Sequence, residues 1–147
     1  MTFSACGCGP PFPTRQVHRP DAVSRQIIRL NRVFMPGFMP EQTVSDVVAA
    51  WFGGEHTLYD AVHDTPEIAW QAILEIVARG LTDKQSGLLA AGPLEDLLSY
   101  HGTQFIDRIE DEARRNPKFN HLLGGVWQNQ MPDEIWSRVQ KARKEVW

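Results

Sequence analysis

Glu95 and Asp96, followed by His101, Asp107 and Glu110, form the one stretch of this sequence in which acids, a base and possible cation ligands gather. Two carboxylates and an imidazole are what a hydrolase or nuclease-like centre uses to move protons, alone or around a divalent ion. Their spacing is poor for that purpose. Adjacent helical residues point about 100° apart, and within this cluster no histidine and glutamate fall at i, i+3 or i+4. A structural role accounts for the same residues: Glu95 and Asp96 suit the positive end of a helix, and His101 suits a negative end. An enzyme built on Glu95, Asp96 and His101 is therefore the alternative reading rather than the leading one. The sequence has no phosphate-cradling glycine loop, Gly-x-Ser-x-Gly elbow or Cys-x-x-Cys pair. Both cysteines lie in Cys6-Gly-Cys8, too few for a structural zinc site and too close together for easy ring closure, so no metal and no cofactor is expected.

The elements that would position these groups are helices. Gly92 is suited to close one helix and Pro93 to open the next, with Leu94, Leu97 and Leu98 on the buried face. Upstream, Val44, Val47, Val48, Trp51 and Phe52 follow helical spacing until Gly53-Gly54. Residues 55–64 carry only a weak helical pattern through Leu58 and Val62. Thr65-Pro66-Glu67 starts a helix whose polar residues make one narrow stripe, Glu67, Gln71, Glu75 and Arg79, so this helix should be central. Thr82 to Gln85 reads as a capping box leading into the 90–102 junction. After Gly102, Thr103 is expected to cap a helix with Phe105, Ile106, Ile109 and Ala113 inside. Asn116-Pro117 restarts a short helix ended by Gly124-Gly125. Pro132 opens the last helix, with Ile135, Val139, Ala142 and Val146 facing inward.

No strand-like alternation competes, and the connections are short. The expected fold is all-α, a compact bundle of six to eight short antiparallel helices, with stacking of the helical-repeat kind as one way to arrange them. Residues 1–20, with Pro10, Pro11, Pro13 and Pro20 beside Gly7 and Gly9, read as a flexible arm, and residues 21–147 as one helical domain. A helix is expected from Asp21 through Val23, Ile27, Leu30 and Phe34.

At 147 residues, 42% hydrophobic and 22% charged, the chain can bury its own core. It lacks a signal-peptide pattern and a run long enough to span a bilayer, so a cytoplasmic protein without membrane contact is expected. The net charge of −3 hides an asymmetry: residues 1–40 hold five arginines against Asp21, while residues 41–147 hold ten basic and seventeen acidic groups. A nucleic-acid role would have to use Arg15, Arg19, Arg25, Arg29 and Arg32 against an acidic body that phosphate repels, and it ranks below protein binding. Five tryptophans are many for this length. Trp51 and Trp70 fall on inner stripes. Trp127, beside Gly124-Gly125 and followed by three amides, reads either as packed at a helix end, the commoner fate, or as a surface anchor.

The run Ala90-Ala91-Gly92-Pro93-Leu94-Glu95-Asp96-Leu97-Leu98, then His101-Gly102, Phe105-Ile106, Phe119, Gly124-Gly125-Val126-Trp127 and Trp136, resembles a family of small bacterial helical proteins grouped as a domain of unknown function. The likeness runs from about Pro66 to Trp136. It implies a bacterial, helical protein, assigns no activity, and marks Gly92, Glu95, Asp96, His101, Gly125 and Trp127 as signature positions.

With no coherent reaction centre, the leading expectation is a non-catalytic protein-binding module, an adaptor, inhibitor or immunity-like partner. It would use the acidic face Asp107, Glu110, Asp111 and Glu112 together with Trp127. The identity of the partner and the oligomeric state do not follow from the sequence. Since two cysteines in one segment cannot tie a core, neither a chelator nor a reductant should change the melting temperature. A drop of several degrees with either reagent would count against this expectation.

Overall fold

Two capping boxes set the first boundaries of the chain that the computed structural model describes, residues 42–147. Thr43 Oγ1 accepts from the Asp46 N–H at 3.2 Å while Asp46 accepts from the Thr43 N–H, and helix α1 (Val44–Phe52) follows. Thr82 and Gln85 make the same reciprocal pair, with Gln85 Oε1 accepting from the Thr82 N–H at 3.0 Å, ahead of α4 (Asp83–Leu89). Between them lie α2 (Thr57–Asp64) and α3 (Pro66–Arg79). A π-helical turn (Ala90–Leu94) joins α4 to α5 (Glu95–Arg115), after which come α6 (Pro117–Leu123) and α7 (Asp133–Ala142). Counting the unbroken run from Asp83 to Arg115 as one, there are six helices and no strand among the described residues. The fold is all-α, as expected. The arm and the helix expected from Asp21, together with Cys6 and Cys8, lie outside the described residues.

Helix α3 is central, as its narrow polar stripe implied. It packs against α1, α2, α5, α6 and the π turn, and it buries Ala69, Trp70, Ala72, Ile73, Ile76 and Val77. The Trp70 ring meets Phe119 edge-on at 5.5 Å and lies 6.1 Å from Phe105, so α3, α5 and α6 share one aromatic centre. Its exposed side is tied down as well. Arg108 makes a two-pronged pair with Glu67, at 2.7 and 2.8 Å, and its guanidinium lies over the Trp70 and Phe105 rings.

Of two expected breaks, one is absent and the other is a kink. Gly92 does not take a left-handed conformation, since the positive-φ glycines among the described residues are Gly54 and Gly80. Pro93 does not open a new helix. It sits inside a continuous one, where an α-turn would drive its ring into the carbonyl of Leu89, four residues back. The wider π turn absorbs that clash and the missing N–H. Gly92 is needed for close approach instead, because a Cβ there would run into the Tyr59 hydroxyl. At Gly102 the expected break takes the form of a kink: His101 (φ −126°, ψ 18°) leaves helical geometry and two helical stretches meet there, with no cap hydrogen bond from Thr103. Packing selects glycine here, since a Cβ would come within 2.9 Å of Ile135 Cγ2 on α7.

Val146, expected to face inward, is 56% exposed, because Arg143 turns extended and ends the helical period after Ala142. The tail is held by Asn120, itself only 5% exposed. Its Nδ2 donates to the carbonyls of Ala113 and Ala142, both at 3.0 Å, and its Oδ1 accepts from the Lys144 N–H. One buried amide thereby satisfies a carbonyl near the C-terminal end of each of two helices.

These glycines predict opposite responses to one added methyl group. Gly102→Ala should destabilise by about 1–3 kcal/mol through crowding of Ile135. Gly87→Ala, mid-helix with open space around it, should stabilise by about 0.5–1 kcal/mol. Urea denaturation of both variants checks the pair, and a stabilised Gly102→Ala would contradict the packing described.

Candidate functional site

The start of α5 and the loop after α6 come together around Glu95. Although only 6% exposed, its carboxylate Oε2 accepts from the Trp127 backbone N–H at 3.2 Å, joining the start of α5 to the loop after α6. That loop is fastened at further points. Arg143, lying over the Trp136 ring at 4.7 Å, donates to the Val126 carbonyl at 3.0 Å. The Trp147 ring covers Gly125, where a Cβ would lie 2.7 Å from it and 3.0 Å from Ala90, and its Nε1 donates to the His121 carbonyl at 2.7 Å. From this anchored backbone the Trp127 side chain stands out, with the residue 58% exposed, while Trp147 is 44% exposed. Gly125, Glu95 and Trp127 thus belong to one piece of construction.

The acidic residues of α5 have individual fates. Glu110 and Asp107 both accept from Arg138 of α7, Glu110 through two bonds of 2.8 and 2.7 Å, and the guanidinium holds the Glu110 carboxyl below its ordinary range. Glu112 is 8% exposed and accepts from Arg115 Nε and Asn116 Nδ2, both at 2.8 Å, which fixes the corner between α5 and α6. Asp111 pairs with Arg114 one turn on. Asp107 and Asp111 keep most of their side-chain surface in solvent, 81% and 60%. Asp107 lies twelve residues beyond Glu95 along α5, about 18 Å of helix, so the acidic group and the Trp127 loop occupy different parts of the surface.

His101 is at the kink, five residues past Asp96 and hence on another face of the helix. The imidazole that faces Asp96 belongs to α2. There Tyr59 and His63, one turn apart, interleave with Gly92, Asp96 and Tyr100 at the same spacing on the opposite helix: Tyr59 over Gly92, then Asp96, then His63 against Tyr100 with ring centres 4.7 Å apart. Burial pushes the Asp96 carboxyl up from its ordinary value, the positive charge of His63 opposes that, and Glu95 adds to it. Burial and the charge of Asp96 raise the Tyr59 phenol, which therefore keeps its proton at neutral pH. Tyr59 and His63 were missed in the sequence because the pattern of residues 55–64 is weak. Their i, i+4 spacing opposite Leu58, Ala61 and Val62 was the signal available.

The π turn and α5 thus present three groups in three settings: Glu95 inward on a backbone N–H, Asp96 toward α2, and His101 elsewhere. Among the described residues no three His, Cys, Asp or Glu side chains converge as a metal site, and no helix is long and apolar enough to cross a membrane. A cavity of about 390 Å³ lies apart from this stretch, between the end of α3, α4 and α6, with Val77, Leu81, Lys118 and His121 among its lining.

The raised Asp96 carboxyl fixes the sign of a stability effect. The folded state holds this proton more tightly than the unfolded chain, so stability falls as pH rises from the unfolded value through the folded one, and the cost persists at neutral pH. Asp96→Asn should therefore raise the melting temperature slightly at neutral pH, with the difference from wild type vanishing at acid pH where both side chains are neutral. Thermal scans across pH check this, and a destabilised Asp96→Asn at neutral pH would refute it.

Comparison with known proteins places the chain without assigning it an activity. The model of a family of unknown function, DUF6869, matches residues 41–146, which takes in the described helices almost entirely. No curated protein and no solved structure matches. With most of its length inside that match, the chain belongs to the DUF6869 family.

Proposed function

We propose that the protein is a non-catalytic protein-binding module, an adaptor, inhibitor or immunity-like partner in the bacterial cytoplasm, and that its partner buries Trp127. The observation that carries this reading is the contrast at one residue: a 58% exposed indole on a backbone fixed through Glu95. Exposing a large aromatic ring to water is unfavourable, and a rigid mounting lowers the entropy lost when a partner covers it. Tryptophan is also among the residues that most often dominate binding energy. Trp147, held over Gly125 two residues before Trp127, is also exposed. Asp107 and Asp111, the acids of α5 with most surface in water, supply a second, charged contact for a partner large enough to span both.

Affinity capture from the native host with the full chain, followed by quantitative binding of the recovered partner, tests the reading. Trp127→Ala should weaken binding by at least about tenfold, the size of a hot-spot truncation, while leaving the melting temperature nearly unchanged. Asp111→Lys should slow association and alter its salt dependence. A partner whose affinity both folded variants leave intact would refute this surface.

A further inference from the structure

Asp96 stands apart from the other carboxylates of the described chain in one respect. Each of the other buried or half-buried acids has a donor: Glu75 has Arg79, Glu95 the Trp127 N–H, Glu110 has Arg138, and Glu112 has Arg115 and Asn116. Asp96 is half-buried, yet no hydrogen bond or ion pair among the described residues reaches it. Three residues on, and next to it on the helix surface, the Ser99 Oγ is also buried without a partner. Ser99 Oγ is the one fully buried side-chain polar atom without a partner among the described residues, and it neighbours a half-buried carboxylate that no protein donor reaches.

The residues that bracket Asp96 along α5 are aromatic. Tyr59 closes one end against Gly92, with the His56 ring 5.8 Å behind it, and the His63–Tyr100 pair closes the other. No lysine or arginine among the described residues pairs with Asp96, and the cationic group acting on it is the His63 imidazole. An anionic centre flanked by ring faces and edges is the environment that favours an organic cation, which gains from the carboxylate and the ring quadrupoles together. A neutral or anionic ligand would gain neither.

From this arrangement we infer that Tyr59, His63, Asp96 and Tyr100 form a slot for an organic cation, an alkylammonium or guanidinium group. A lysine or arginine side chain carries that chemistry, and so does a free amine. The cation donates to Asp96 and lies against Tyr100. This site stands independently of the Trp127 surface, since none of its residues belongs to the loop after α6.

The test uses the full chain labelled with ¹⁵N, titrated in separate arms with n-butylammonium, n-butylguanidinium, the neutral n-butylurea, and short blocked peptides containing one lysine or one arginine. Saturable shifts at the amides of Tyr59, His63, Asp96 and Tyr100 are expected with the cations and not with the urea. The expected Kd is on the order of 1 mM, as suits a single charged group. Asp96→Asn, which should remain folded, is expected to weaken binding at least about tenfold, and Tyr100→Leu by about two- to fivefold. Peptides binding more tightly than the free cations would identify a side chain as the source, and equal affinities a free amine. Equal response to the urea, shifts that spread without saturating, or undiminished binding to a folded Asp96→Asn would each overturn the proposal.

Discussion

A proline that cannot donate sits inside a helix that does not stop, and much of the architecture follows from how the chain resolves that conflict. Pro93 is buried, and so are its neighbours Gly92 and Leu94, so the backbone cannot bulge into water to escape the clash. It widens instead into a π turn, which inserts one residue into the helical phase. The shift decides which way the following residues point. Glu95 comes inward, where the Trp127 N–H awaits it, and Asp96 comes to face α2. The absence of a side chain at Gly92 then admits Tyr59 to the same turn. One local constraint therefore sets the direction of both carboxylates and draws two otherwise separate segments, α2 and the loop after α6, onto the same five residues.

Features that local chemistry determines were legible in the sequence. The Thr82–Gln85 capping box, the Asn116-Pro117 restart and the inner stripe of α3 stand as their residue types imply, because each depends on partners within a turn or two. Gly92-Pro93 was misread for the converse reason. The same two residues also fit a helix end followed by a new start, and only the burial of Ala90, Gly92, Pro93 and Leu94 selects the continuous form. At Gly102 the deciding atom is Ile135 Cγ2, thirty-three positions away, which no local rule reports. The acidic face shows the same division. Its residues read as one outward stripe, yet Glu112 is buried against Arg115 and Asn116, and Arg138, which pairs with Asp107 and Glu110, arrives from another helix and takes up charge that the stripe seemed to offer. Tyr59 and His63 become informative only once α2 lies beside Asp96.

Glu95 and Asp96 show how little separation two carboxylates need in order to play different parts. Adjacent on the chain, one accepts a backbone hydrogen bond and holds a loop, while the other has no donor and bears the cost of burial. Residues spent on fastening and residues left unsatisfied can be told apart by their partners rather than by their type. By that measure Glu112 and Glu110 belong with the fasteners.

The Asn120 side chain joins segments that are seven, twenty-two and twenty-four positions apart, through three hydrogen bonds made by one amide. The carbonyl ends of α5 and α7 consequently cannot fray one at a time: opening either leaves a buried amide atom without its partner. In the language of native-state hydrogen exchange, the C-terminal ends of these two helices and the tail constitute a single cooperative unit, with protection rising and falling together although more than twenty residues of chain lie between them.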